Sequence, residues 1–321
     1  MNFFLSLFNS LPGAVTQGLL WGIMGIGVYV TYRILDVADL TVDGTMCTGG
    51  AVFIMLTMAG WSIPAALLAS FAAGMLAGLA TGLLHTACGI PAILSGILTQ
   101  LGLWSINMAI MGMKATVAIN VSTPELLDKL LVSLRFVQDV AKGARPFYRH
   151  PILVVGIFTA ILIAILYWFF GTELGCSLRA TGSNQNMARA QGINTNFCKV
   201  LGLMISNGLV SLSGALLAQY NSASEINMGR GAIVIGLAAV IIGEVAFSKL
   251  FTNFGLKLFS VSIGAIIYYI VIQAVLAMGL NPNYLKLLSA VVVAIFLSIP
   301  FWKNKYIRAS VKTTKEVSTN A

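Results

Sequence analysis

Two amide side chains stand inside a predicted apolar helix at a spacing that suits contact with a polar solute. Gln100 and Asn107 lie in the apolar run 91–112, seven residues apart. Seven residues are two helical turns, so both amides share one face of the helix. Asn207 stands in a second apolar run, 198–218. Amides within such helices are costly unless they face protein or water, so they indicate either the lining of a solute path or hydrogen bonds between helices.

A second polar stretch, DVADLTVDGTMCTGG, joins two apolar runs and carries the carboxylates of Asp36, Asp39 and Asp43. Thr41 or Asp43 is suited to cap a helix that begins near Gly44. The free amides and the dipole at such a helix start would attract a substrate carboxylate. The alternative is a plain interfacial loop followed by a capped helix. If this helix start does meet substrate and the amides line a solute path, a central cavity is lined by Thr41, Asp43, Gly44, Gln100, Asn107 and Asn207.

The most polar part of the chain is the 171–194 segment, GTELGCSLRATGSNQNMARAQGIN. It lies between the apolar runs 151–170 and 198–218 and contains Arg179 and Arg189. Its backbone and side chains would go unpaired in hydrocarbon, so it must lie in water at a membrane face.

Local sequence predicts a short helix within the 171–194 segment. Gly182 should break the chain, and Ser183 or Asn184 can cap a first turn. Residues 185–191 contain good helix formers, and Gly192 stands where a glycine ends a helix. About two turns are not stable alone in water, so this helix needs a partner surface. The neighbouring arginines indicate that the partner surface is acidic.

Composition requires that most of the chain lies in a membrane. Of the 321 residues, 58% are apolar and 9% are charged, and the mean hydropathy is +0.91. Ordinary soluble domains carry about 25% charged residues. We therefore predict an all-α polytopic membrane protein of about nine transmembrane helices, with a short cytoplasmic helix and a broken or re-entrant start to the second span. The predicted spans are 13–35, 44–60, 63–84, 91–112, 151–170, 198–218, 232–247, 256–278 and 285–302. Gly74, Gly78 and Gly82 recur every four residues in the third span, which predicts a close helix contact.

Several classes of site are absent from the sequence. The two histidines and four scattered cysteines have no metal-binding spacing. There is no phosphate-binding GxxxxGK[ST] loop and no grouped nucleophile and base, so we expect no enzymatic activity in this chain. The basic tail, 303–321, suits anionic lipid at the inner leaflet far better than nucleic acid.

The run RATGSNQNMARAQGIN resembles the cytoplasmic coupling loop of permease subunits of ABC importers, in the ribose and branched-chain amino-acid family. The matching positions are Arg179, Ala180, Gly182, Asn184, Ala188, Gly192, Ile193 and Asn194. The stretch Asp39–Gly44 resembles the family's Gly-Ile-Asp-Leu-Ser-Val-Gly segment, and residues 229–244 resemble its glycine-rich helix. That helix ends here in Glu244, where many relatives have glycine, which leaves the role of Glu244 open.

This resemblance implies a single permease domain, 1–302, and several partners. ATP and Mg²⁺ would be bound by a separate ATPase subunit, and this chain would hold no cofactor. A substrate-binding protein, a second permease chain and membrane lipid are the other implied partners, in the plasma (inner) membrane of a bacterium. Contact with the ATPase would involve Arg179, Ala180, Thr181, Gly182, Ser183, Asn184, Arg189 and Gly192. The sequences LTVDGT and LRATGSN most resemble the amino-acid branch of the family and its tryptophan/tyrosine-type permeases. Two alternatives remain: a sugar importer, and a self-contained channel or secondary transporter.

Nine spans with an internal C-terminus place the N-terminus outside. The cations of the 171–194 segment and the tail then obey the positive-inside rule, but the 113–150 segment, which we expect to include an outer amphipathic helix, does not. Its excess of cations suits docking of an acidic binding protein. The proposed docking residues are Arg135, Lys142, Arg145, Arg149 and Arg230. The alternative is that some of them reach lipid headgroups.

Overall fold

The computed structural model describes residues 2–119, 130, 132–133, 150–247, 250–251, 253–278 and a few positions between 284 and 298, with side chains from residue 10 onward. The first helices are α1 (Asn2–Tyr29, continued by a π-helical turn, Val30–Ile34), α2 (Val42–Met58), α3 (Ile63–Thr86) and α4 (Ala92–Ile110). After strand β1 (Thr116–Ala118) come α5 (Pro151–Gly171), α6 (Glu173–Ser183), α7 (Gln185–Ala190) and α8 (Thr195–Asn221). Strand β2 (Ala223–Glu225), α9 (Ala232–Phe247) and α10 (Phe254–Ala277) complete the described chain.

The helices confirm a polytopic all-α membrane protein. In the described residues, six helices are long and apolar enough to cross a membrane, namely α1, α3, α4, α5, α8 and α10. Helices α2 and α9 are apolar but shorter, with 17 and 16 residues. Each of the first eight predicted spans therefore coincides with a helix. The ninth, 285–302, falls mostly outside the described residues.

The glycine ridge of α3 packs directly on α8, as its spacing predicts. A Cβ on Gly78 would lie 2.7 Å from the carbonyl carbon of Leu203, and one on Gly82 would lie 3.0 Å from Cα of Val200. Gly74 faces the backbone of Asn207 in the same way. Helix α8 also packs on α1 and α2, while α1 packs along α10. Helix α8 is consequently the most central long helix among those described, with an unbroken buried stretch from Ser206 to Tyr220.

Residues 35–41 connect α1 to α2 without helical structure; the side chains of Asp39 and Thr41 are buried there, whereas Asp36 is exposed. Asp39 accepts hydrogen bonds from the backbone N–H of Thr41 at 2.9 Å and from Nδ2 of Asn207 at 2.6 Å. The amide oxygen of Asn207 accepts from the hydroxyl of Thr45 at 2.7 Å. The Thr41 hydroxyl pairs with that of Thr81 at 2.8 Å. This network compensates the burial of a carboxylate, which would otherwise be very costly.

Two short strands, which the sequence did not predict, form an antiparallel pair. Strand β1 pairs antiparallel with β2, and Val117 lies opposite Ser224. The pairing ties the segment after α4 to the segment after α8. The amphipathic helix expected within 113–150 lies largely outside the described residues and stays a prediction.

Candidate functional site

The carboxylate of Asp43 joins the N-terminal ends of α2 and α9. Its two oxygens accept from the backbone N–H groups of Gly231 and Ile233, each at 3.0 Å. These amides are among those that an α-helix leaves unpaired at its start. Each such bond to a charged acceptor contributes about 1.5–3 kcal/mol, and the dipole of α9 adds to the attraction. Asp43 therefore caps a helix from the other half of the chain.

This arrangement corrects the predicted capping of α2. Helix α2 begins at Val42, and Thr41 makes no side-chain cap hydrogen bond to it. Asp43 lies in its first turn but is directed to α9. A sequence pattern identifies a suitable cap, but it does not reveal that a second helix start lies within reach.

A cavity of about 200 Å³, here named the α2–α4 cavity, lies beside Asp43 and is open on one side. Its lining comes from α2, α4 and the segment before α9: Asp43, Gly44, Cys47, Gln100, Leu101, Trp104, Asn107, Ile226 and Arg230. Four predicted path residues, Asp43, Gly44, Gln100 and Asn107, are thus brought together, and the shared face of the two amides is observed. Their role in transport stays a prediction.

Asn107 has an unusual position in this lining. Its side chain is 1% exposed, and Nδ2 donates to the carbonyl of Gly44 at 3.2 Å. Among the described residues, its Oδ1 has no hydrogen-bond partner. An unpaired buried acceptor costs about 1–3 kcal/mol, so it calls for a physical reason such as a bound water or ligand.

Thr41 and Asn207 do not line the cavity. Both are 0% exposed and belong to the buried network around Asp39. For Asn207, hydrogen bonding between helices accounts for the position, which was the alternative to a path lining. The network arises because Asp39, buried between α1 and α2, needs donors close by.

Trp104 and Cys47 line the cavity but were not singled out from the sequence. The spacing of both residues could have indicated their position in the lining. Trp104 is four residues after Gln100 and three before Asn107, on the same helical face. Cys47 is one turn after Asp43.

Arg230, predicted to dock a binding protein, is exposed and also lines this cavity. The other four proposed docking residues lie outside the described residues.

The 171–194 segment folds into two helices. Helix α7 begins after Asn184, whose Oδ1 accepts from the N–H of Met187 at 3.0 Å, and Gly192 follows it with a φ of +80°. The predicted cap, the two-turn helix and the terminal glycine agree with this arrangement. Gly182, in contrast, does not break the chain, because it lies in the last turn of α6. Position 182 requires a residue without a side chain, because a Cβ there would lie 2.8 Å from Cα of Leu35.

The predicted ATPase-coupling residues divide into buried and exposed groups. Thr181 is 3% exposed and bonds the backbone of its own helix, whereas Ser183 and Asn184 are exposed. Arg179 is exposed and lies 5.7 Å from the ring centroid of Phe254, a cation–π contact. Nε of the exposed Arg189 donates to the hydroxyl of Thr195 at 2.8 Å. Both guanidinium groups are thus positioned locally while remaining accessible to a partner.

Glu244, near the end of α9, pairs with Arg33 of the π-helical turn, with 3.0 Å between Oε1 and Nε. Helix α9 is therefore held at its start by Asp43 and near its end by Arg33. In this chain Glu244 takes part in a helix-to-helix contact that glycine could not make.

The chain matches the family described as "Branched-chain amino acid transport system / permease component" over residues 10–297. The chain belongs to this permease family. It is an ABC transporter permease and a membrane protein, and the family is one of transport subunits rather than enzymes.

Curated relatives of this permease differ in substrate. A tyrosine transport system permease protein of Clostridioides difficile is 37% identical over 290 residues, with 90% of this chain and 91% of the relative covered. A galactofuranose transporter permease protein of Escherichia coli K12 is 28% identical over 81% of this chain and 71% of the relative. An autoinducer 2 import system permease protein of E. coli is 28% identical over 70% and 59%.

Proposed function

We propose that this permease is the membrane-spanning subunit of an ATP-driven importer and forms the path for an amino acid, with an aromatic one favoured. The observation that carries the substrate class is the 37% identity with a tyrosine transport permease along 90% of the chain. The α2–α4 cavity supports it, because a small zwitterion matches a lining that holds both a carboxylate and a guanidinium. Sugar import is the second candidate, favoured by the galactofuranose relative at 28% identity.

The proposed ATPase contact is the surface of α6 and α7. Arg179 and Arg189 are exposed there, and Met187, which lies between them in the sequence, is 63% exposed. A surface with one exposed apolar side chain and two exposed cations suits a partner groove that has both apolar and acidic residues. ATP and Mg²⁺ would be bound by that ATPase and not by this chain.

The remaining partners and the topology follow from the same proposal. ABC motors use two ATP sites at a dimer interface, and this chain has one 171–194 segment, so two copies should surround the path. A binding protein would deliver the solute to the outer face. The N-terminus would lie outside and the C-terminus in the cytoplasm of a bacterium, with nine spans crossing the plasma membrane.

The test combines copurification with uptake. The tagged permease should copurify its ATPase, and cells that express the whole transporter should take up labelled L-tyrosine in preference to labelled ribose. The double variant Arg179→Glu, Arg189→Glu should insert in the membrane but lose the ATPase, because like charges would then face the groove. Lys257→Gln, which removes an exposed cation from α10, is the matched control and should retain it.

Three results would contradict the proposal. Normal transport by the double variant with ATPase bound would remove the docking role of this surface. Uptake of ribose but not of amino acids would favour the sugar importer. Purified transporter that contains a single permease chain by native mass measurement would exclude the homodimer.

A further inference from the structure

Opposite charges line the α2–α4 cavity, and its lining residue Asn107 has a buried amide oxygen that accepts no hydrogen bond from the described residues. We propose that this cavity is a selectivity site of the permease itself, which binds the carboxylate and the ammonium of one zwitterionic amino acid during transport. The inference rests on the proposed amino-acid importer function. It places part of the substrate discrimination in the membrane subunit, in addition to any binding protein.

Arg230 is the group that would bind the carboxylate. Its side chain is exposed and lines the cavity, and no carboxylate in the described part of the chain forms an ion pair with it. The first amides of α9 are the other anion-binding groups nearby, but those of Gly231 and Ile233 are already occupied by Asp43. A guanidinium is suited to a carboxylate because it can donate two parallel hydrogen bonds.

Asn107 and Asp43 would bind the ammonium. Asn107 belongs to the cavity lining, and its buried Oδ1 accepts no hydrogen bond from any residue that the structure describes. The Asp43 carboxylate uses one acceptor site on each oxygen for α9, and a carboxylate has about four such sites. An ammonium offers three donors, which can satisfy both groups at once.

The rest of the lining limits the size and the kind of side chain. The volume of about 200 Å³ is below the roughly 300–1,000 Å³ of ordinary ligand pockets, which restricts the site to a small solute. Leu101, Trp104 and Ile226 form an apolar wall, and the Trp104 ring is suited to contact an aromatic side chain. A sugar hydroxyl could donate to Asn107 but would leave Arg230 without a counter-charge.

The experiment uses the purified permease–ATPase complex in lipid nanodiscs, without a binding protein. Thermal unfolding is measured against increasing L-tyrosine, tyramine, 3-(4-hydroxyphenyl)propionate and ribose, because a ligand of the folded state raises the unfolding temperature. Tyramine lacks the carboxylate and the propionate lacks the ammonium. L-Tyrosine should bind at least roughly tenfold more tightly than either analogue, since each loses a charge-assisted contact. Ribose should not bind.

Two variants separate recognition from general effects of charge. In Arg230→Gln the preference for L-tyrosine over tyramine should fall to about twofold or less, since the carboxylate partner is gone. Lys114→Gln removes an exposed cation that does not line the cavity, so it should keep the preference. A merely structural role for Arg230 would lower the affinity for both ligands equally.

The proposal is overturned if L-tyrosine does not stabilise the wild-type complex, if either analogue binds as tightly, or if Arg230→Gln keeps the preference. Uptake by the whole transporter, with its binding protein, separates this failure from failure of the proposed function. L-Tyrosine uptake that persists without cavity binding contradicts the selectivity site alone. If the wild-type transporter takes up no amino acid at all, the importer function is contradicted.

Discussion

Replacement of Gly78 by alanine should weaken the central packing of α3 on α8. The added Cβ would lie 2.7 Å from the carbonyl carbon of Leu203 and 2.8 Å from Cα of Met204. Both are backbone atoms, so a side-chain rotation cannot relieve the overlap. Ordinary contact begins at 3.4 Å, so the two helices must separate by at least about 0.7 Å at this point.

That separation has a calculable cost. A gap of about 0.5–1 Å removes a quarter to a half of the dispersion energy of each contact that it affects. Overpacking of this kind costs about 1–3 kcal/mol in well-packed interiors. We expect the unfolding temperature of the purified permease to fall by the order of 5 °C.

The assay is the temperature at which half of the detergent-solubilised permease is lost from the monodisperse peak in size-exclusion chromatography. Gly156→Ala in α5 is the matched control, because a Cβ there would meet no atom of the described residues within 4 Å. It should leave the temperature unchanged or raise it slightly, since alanine favours helix more than glycine does. Equal stability of the two variants would refute the inference that close backbone contact between α3 and α8 stabilises the fold.

Three further predictions concern single sites. Asn107→Leu should reduce uptake without lowering the amount of assembled complex, measured by transport and copurification, whereas lost assembly would support a packing role. Glu244→Gln should lower the free energy of unfolding by no more than about 1 kcal/mol, because the Arg33 side chain is 61% exposed and such pairs contribute little; a larger loss in denaturant unfolding would contradict this. Docking of the binding protein, measured by surface plasmon resonance, should weaken as the salt concentration rises and in Arg145→Glu. Docking that is independent of salt and tolerates charge reversal at all five cations would instead favour contact of these cations with lipid alone.

The sequence predicted the elements well because their signals are local. Helix α9 has the bounds 232–247 that its apolar run predicts, and Asn184 caps α7 through its own side chain. The spacing of Gly74, Gly78 and Gly82 correctly predicted a close contact, but not that α8 is the partner.

The cavity was predicted less completely because it depends on contacts between distant parts of the chain. Asp43 was recognised as a helix cap, but its partner helix begins nearly two hundred residues later. The sequence groups Asn207 with the cavity residues because an amide in a span fits either role, and it does not show the hydrogen bond that Asn207 makes to Asp39, 168 residues away. The strand pair likewise depends on two segments that are far apart in sequence.

The hydrogen bonds of Asp43 have a consequence for the order in which the protein is made. Its partners follow it by 188 and 190 residues, so α1 to α4 leave the ribosome long before α9 exists. Until then the carboxylate has no helix start to cap, and the glycine ridge of α3 has no α8 to pack against. The first half of the chain therefore cannot complete its packing alone, and its nascent helices must be kept in an unfinished state until the second half has been inserted.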